Sequence, residues 1–123
     1  MDVLLIDAAN VVGSRPTGWW RDRPAAARQF VERVRAAVRA GRLNGAVVVV
    51  LEGAARLGIE EGEVDGVRVV HAPSSGDDSL IDLASAARKK VVLVSADRAL
   101  RQRAERLGAR VVGPVWLLDR LES

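Results

Sequence analysis

The sequence has no cysteine and a single histidine, His71. The first absence excludes a disulfide framework, and the two together exclude the usual zinc sites, so His71 reads as a strand-end histidine rather than a ligand. No apolar run is long enough to span a bilayer, and Met1 leads directly into the first strand with no room for a signal peptide. A cytoplasmic location with no membrane attachment is therefore expected. No glycine-rich phosphate loop follows the first strand, because Asp7-Ala8-Ala9-Asn10-Val11-Val12-Gly13 fits neither the dinucleotide nor the P-loop pattern. Ser95 has no histidine base near it, which sets aside a serine nucleophile. Internal repeats and low-complexity segments are also missing. Lysine is scarce: Lys89 and Lys90 stand against seventeen arginines, in a chain of net charge +3 and pI ≈ 10.5. Arginine pairs bidentately with phosphate, which points to a nucleic acid; coding bias explains the same composition equally well.

What is present begins with Val3-Leu4-Leu5-Ile6, an apolar run that fits a strand buried on both faces, followed by Asp7 and Asn10. In open parallel sheets ligands bind outside the carboxyl ends of the strands, where Asp7 would sit, although an Asx-turn accounts for the pair as well. The 123 residues are expected to form one domain, 1–123. Val11 to Arg23 reads as an irregular connection. A helix follows, with Asp22 as N-cap, Pro24 in its first turn and Gly41 as its stop. Ala46 to Leu51 is a second buried strand, ending in Glu52-Gly53. Asp65-Gly66 permits a tight hairpin before a third sheet strand that ends at His71. A helix opens at Asp77-Asp78-Ser79-Leu80-Ile81-Asp82, and Val91 to Val94 is a fourth strand with Ser95-Ala96-Asp97-Arg98 at its end. The next helix should turn Leu100, Ala104 and Leu107 inward. A short strand, Arg110 to Val112, and a final helix near Val115 to Leu121 complete an α/β sheet of doubly wound type.

Strands that release Asp7, Glu52 and Asp97 at one sheet edge, with Asp77, Asp78 and Asp82 added from a helix, make an acidic crevice. Asp78 and Asp82 are four apart and share a helix face, where like charges repel. The helix N-terminus relieves part of that repulsion and a divalent cation would relieve the rest. Mg²⁺ prefers one or two carboxylates, waters and substrate phosphate oxygens, which such a crevice beside basic residues supplies.

The motifs resemble a known family. Leu5-Ile6-Asp7-Ala8-Ala9-Asn10-Val11-Val12 is similar to the opening D-G-x-N segment of NYN domains, a branch of the PIN-like nuclease superfamily. Asp77-Asp78-Ser79-Leu80-Ile81-Asp82 resembles the A-D-x-x-I-E motif of the YacP-like members, and Val94-Ser95-Ala96-Asp97-Arg98 their T-S-D segment. The resemblance implies a three-layer PIN-like (Rossmann-like) parallel sheet flanked by helices and a Mg²⁺- or Mn²⁺-dependent ribonuclease. By motif, Asp7, Asp78, Asp82 and Asp97 would be the acids, Asn10 a positioning residue and Ser95 a neighbouring hydroxyl. Ala8 departs from the family's glycine, Asp77 adds a carboxylate, and Asp82 is shorter than the usual glutamate, so it would act through a water.

The function expected is endoribonuclease cleavage, with one or two Mg²⁺ or Mn²⁺ ions held by Asp7, Asp78 and Asp97. The alternative is an RNA-binding or regulatory domain that has lost turnover. A haloacid-type phosphatase would want an aspartate where Ala9 stands, and a phospho-receiver would want a lysine after a late strand. Single-stranded RNA is the expected partner. The small size leaves room for substrate selection by a homodimer or a regulatory protein. Trp19 with Arg15, Arg21 and Arg23 is expected to line the RNA groove, while Trp20 is expected to pack as a staple under the following helix. Arg98, Arg101, Gln102 and Arg106 share a helix face suited to phosphates, with a solvated face in which Arg101 pairs with Glu105 as the alternative.

Overall fold

The computed structural model describes residues 2–122. Six strands form one sheet in the order β3-β4-β2-β1-β5-β6. The central strand, β1 (Val3–Asp7), pairs in parallel with β2 (Ala46–Leu51) on one side and β5 (Val91–Val94) on the other. Beyond these lie β4 (Val67–His71) and β6 (Arg110–Val112), also parallel. Only β3 (Gly62–Val64) runs antiparallel, against β4. Asp65 and Gly66 join that pair with φ of 54° and 78°, the two left-handed residues that a tight hairpin matching the strand twist requires.

Alternate side chains of the strands feed two cores. Leu4 and Ile6 of β1, with Val47, Val49 and Leu51 of β2, pack beneath α1 (Ala8–Gly13), α2 (Arg23–Arg39) and α5 (Pro114–Glu122). Leu5, Val48, Val50 and Leu93 face the opposite way, onto α3 (Gly76–Ala86) and α4 (Arg98–Arg106). Burial on both faces explains the unbroken apolar runs, and each fully buried Val or Leu stabilises the fold by about 1.5–3 kcal/mol. The result is the expected three-layer α/β architecture. No helix among the described residues is long and apolar enough to cross a membrane.

The helix boundaries follow local chemistry. Asp22 caps α2 by accepting the Ala25 N–H at 3.1 Å, and Gly41, at φ 77°, ends it while the Arg42 N–H returns to the Ala37 carbonyl. Two expectations fail. The stretch after β1 is not irregular from Val11: a short helix, α1, forms because Asp7 caps it, Ala8 and Ala9 favour it and Val11 is buried beneath it. Leu107 does not turn inward. The helix ends one residue earlier, Gly108 takes φ 86°, and Leu107 is left 48% exposed at the cap.

Candidate active site

Because five of the six strands run the same way, their carboxyl ends share one edge, and the polar residues that follow them meet there. Asp7 is both the last residue of β1 and the N-cap of α1, and it is 6% exposed. Its Oδ2 accepts the Ser95 hydroxyl at 2.8 Å and its Oδ1 the Asn10 N–H at 3.4 Å. Ser95 is fully buried and also accepts the Asp97 N–H at 3.1 Å. Asp97 in turn caps α4 through the Leu100 N–H at 3.0 Å. The Asn10 side-chain oxygen accepts the Ala96 N–H at 2.8 Å, tying α1 to the turn after β5. Asp7, Asn10, Ser95 and Asp97 are thus one hydrogen-bonded unit.

Two further acids crowd this unit. Glu52, directly after β2, accepts the Gly76 N–H at 3.1 Å where α3 begins. Asp77 lies in the first turn of α3, after Ser75 as N-cap. Burial pushes the Asp7 carboxyl up to about 6, offset in part by the Ser95 and Asn10 hydrogen bonds and reinforced by the charges of Asp77 and Glu52. The Asp77 carboxyl is also raised, first by burial and then by Asp97 and Glu52.

Asp78 and Asp82 occupy a different face of α3. Asp78 receives the Arg103 guanidinium at 3.2 Å, bridging α3 to α4, and Asp82, a turn further on, is exposed. The phase of α3 explains the division: Leu80 and Ala84 pack toward the sheet, and Asp77, three before Leu80, shares their side. That spacing was the available signal for Asp77, and the recurrence of strand-end carboxylates was the signal for Glu52. His71 bonds the Ile59 carbonyl at 2.8 Å and lies beside Glu61, as a strand-end histidine does.

The donor set bears on a cation. Among the described residues, no three Asp, Glu or His side chains stand together as a ready set of direct ligands. The acids present are all hard oxygen donors, and one of them, Asp7, is desolvated and repelled by its neighbours. This suits an ion that keeps most of its water and takes one or two carboxylates, as Mg²⁺ does.

Basic and aromatic residues flank the acids. Arg98 and Arg101 line a shallow groove on α4 with Gln102 and Glu105. Trp19 and Arg23 line a cavity beside Glu52. Arg15, expected in the groove, instead pairs with Glu122 of α5 at 2.7 Å. Trp20, expected to pack as a staple under the following helix, is the exposed one of the pair, while Trp19 is half-buried and lines the cavity. In the tight turn Trp19–Arg21 their rings diverge by 88°; Trp19 packs over Gly13, whereas Trp20 is 52% exposed with the Arg21 guanidinium 5.8 Å from its ring centre. Trp19→Ala is therefore expected to cost about 1–3 kcal/mol of stability and Trp20→Ala less than about 0.5 kcal/mol. Urea denaturation of the two variants checks this, and equal losses would contradict it.

No protein-family model and no curated protein matches the sequence. Among solved structures, the crystal structure of a mutant of Rae1 (YacP) from Bacillus subtilis superposes with a TM-score of 0.75 at 20% identity, over 99% of this chain and 76% of that one. A second structure of Rae1 (YacP) from the same organism gives 0.74 at 21%, over 99% and 74%. The six-stranded sheet with its helices on both faces thus shares its fold with the two structures of Rae1 (YacP).

Proposed function

We propose that the chain is a metal-dependent endoribonuclease that hydrolyses phosphodiester bonds of single-stranded RNA at the acidic edge of its sheet. The observation that carries this reading is Asp7: a carboxylate held in a buried position by Ser95 and Asn10, with further acids around it. A group that lowers stability where it stands is a mark of a functional site. With its carboxyl titrating near 6, Asp7 is ionised at neutral pH. Asp7 and Asp97, with Asp77 alongside, are the residues that would hold Mg²⁺ or Mn²⁺, which when bound would supply an activated water and neutralise charge at the scissile phosphate. Ser95 fixes the carboxylate of Asp7, and Asn10 holds the backbone that carries Asp97. Arg98 and Arg101 hold the phosphates on the α4 side. Asp78 is assigned a bracing role through Arg103 rather than a ligand role.

The fold likeness to Rae1 (YacP) supports a nuclease scaffold. The test is twofold. Millimolar Mn²⁺ or Mg²⁺ should raise the melting temperature, since a ligand bound only by the native state stabilises it by mass action. The same ions should be required for cleavage of single-stranded RNA. A melting curve indifferent to metal, with intact RNA, would leave the second reading, an RNA-binding domain without turnover, which Ala8 and the shortened Asp82 leave open.

The arginine face makes its own prediction. Each arginine that contacts phosphate should contribute about 0.7 to the log–log salt slope of binding, the value for single strands. Arg98→Ala should lose that amount and slow cleavage even at saturating RNA, because Arg98 directly follows Asp97. Arg106→Ala, at the far end of α4, should leave cleavage at saturating RNA intact. Salt titrations of both variants decide; an unchanged slope for Arg98→Ala would return that face to solvent.

A further inference from the structure

A cavity of about 290 Å³ opens beside the acids. Its walls are α1 through Ala8 and Val12, α2 through Arg23 and Ala27, the indole of Trp19, and Glu52 at the end of β2. The composition is that of a small-molecule site: mostly apolar, with one aromatic ring and a few convergent polar groups. The Arg23 guanidinium lies 5.2 Å from the Trp19 ring centre, and the ring also lies over Gly13, so the indole has neighbours on two sides before anything binds. The Glu52 carboxylate is anchored by the Gly76 N–H through one oxygen and still lines the cavity. Ala8 and Ala9, which directly follow Asp7, also line it, which places the cavity next to the proposed cleavage centre.

We propose that this cavity binds one unpaired guanine of the RNA beside the scissile phosphate and thereby gives cleavage a sequence preference; the choice of RNA as ligand rests on the nuclease reading above. Single-stranded RNA is recognised by splaying bases against aromatic or apolar walls and reading their Watson–Crick edges. A carboxylate only accepts hydrogen bonds. Guanine alone among the four bases presents two donors side by side, N1–H and the 2-amino group. Adenine and cytosine set an acceptor nitrogen beside their amino group, and uracil flanks its one N–H with two carbonyls, so each turns a lone pair toward Glu52. Arg23 brings donors to the same cavity for the guanine O6 acceptor.

The test is equilibrium binding, in chelator, of short oligo-uridine strands carrying one central guanosine, inosine, adenosine or cytidine. Inosine is the sharpest probe because it lacks only the 2-amino donor. The guanosine strand should bind about tenfold more tightly than the others, within the range of a good two-point base contact. Glu52→Gln, which replaces an acceptor oxygen with a donor, should bring the guanosine-to-inosine ratio near one. Ala9→Leu, which enters the cavity from the exposed wall of α1, should do the same by filling it. Equal binding of all four strands by the native chain, or a preference that survives both variants, would overturn the proposal. The nuclease reading fails separately: guanosine preference without cleavage in Mn²⁺ removes the nuclease and keeps the pocket, whereas cleavage without preference removes the pocket alone.

Discussion

Asp7→Asn is expected to make the metal-free protein more stable at neutral pH while lowering RNA cleavage by about a hundred- to a thousandfold, the loss usual when a charge-stabilising group is removed from a site. The stability gain follows from linkage. The Asp7 carboxyl titrates at about 6 in the fold against 3.8 in the unfolded chain. Below 3.8 both states hold the proton and burial costs nothing. Between 3.8 and 6 the unfolded chain releases it and the fold retains it, so stability falls as pH rises, by about 1.4 kcal/mol per unit. Above 6 the whole penalty, about 3 kcal/mol, is present. Asparagine removes the charge, remains a good N-cap and can still accept from Ser95, though its single oxygen cannot serve the Asn10 N–H as well. The net gain should be about 1–3 kcal/mol at pH 7.5 and near zero at pH 4. Denaturant midpoints at the two pH values, in chelator, measure it. A variant destabilised at both would show that Asp7 is a structural cap and no more.

Ser95→Ala should act in the opposite direction on the same carboxyl. The hydroxyl is fully buried, donates to Asp7 and accepts from the Asp97 N–H, so its loss leaves two polar groups short of a partner at once. About 1–3 kcal/mol of stability should go at neutral pH. The cost should shrink in acid, where a protonated Asp7 no longer needs the donor. The kinetic signature is more diagnostic. The Ser95 hydrogen bond lowers the Asp7 carboxyl, so without it the acid limb of the cleavage profile should move to higher pH, and the defect should narrow as the solution becomes alkaline. A uniform loss across pH would mean that Ser95 positions Asp97 and leaves the ionisation of Asp7 alone.

Much of this architecture could be read from the chain. The apolar runs at Val3–Ile6, Ala46–Leu51 and Val91–Val94 are strands because nothing polar interrupts burial on two faces. The Asp65-Gly66 hairpin and the Asp22 cap follow from backbone chemistry that needs no tertiary context. The site was legible less evenly. Asp7 and Asp97 announce themselves at strand ends, but their linkage through Ser95 depends on β5 lying beside β1, a fact of strand order that no local pattern carries. Asp77 and Asp78 are adjacent, and only the packing of α3 against the sheet, with Arg103 beside Asp78, separates their surroundings. Helix α1 has six residues, too few for a periodic signature. Trp20 does not pack as its nearness to α2 in sequence suggests, because neighbours in a tight turn point apart, and proximity to a helix in sequence says little about which of them faces it.

The double duty of Asp7 as the end of β1 and the start of α1 has a consequence for how the protein breathes. The strand is paired along both edges, so its amides can exchange with solvent only when the whole sheet opens, and Asp7 belongs to that slowest unit. The connection from Gly13 to Thr17 is exposed throughout and is closed by short turns at Ser14 and Thr17. It can open locally while the sheet stays shut. The acidic edge therefore has one side that is set when the domain folds, while the exposed connection beside it can change in length or sequence without disturbing Asp7.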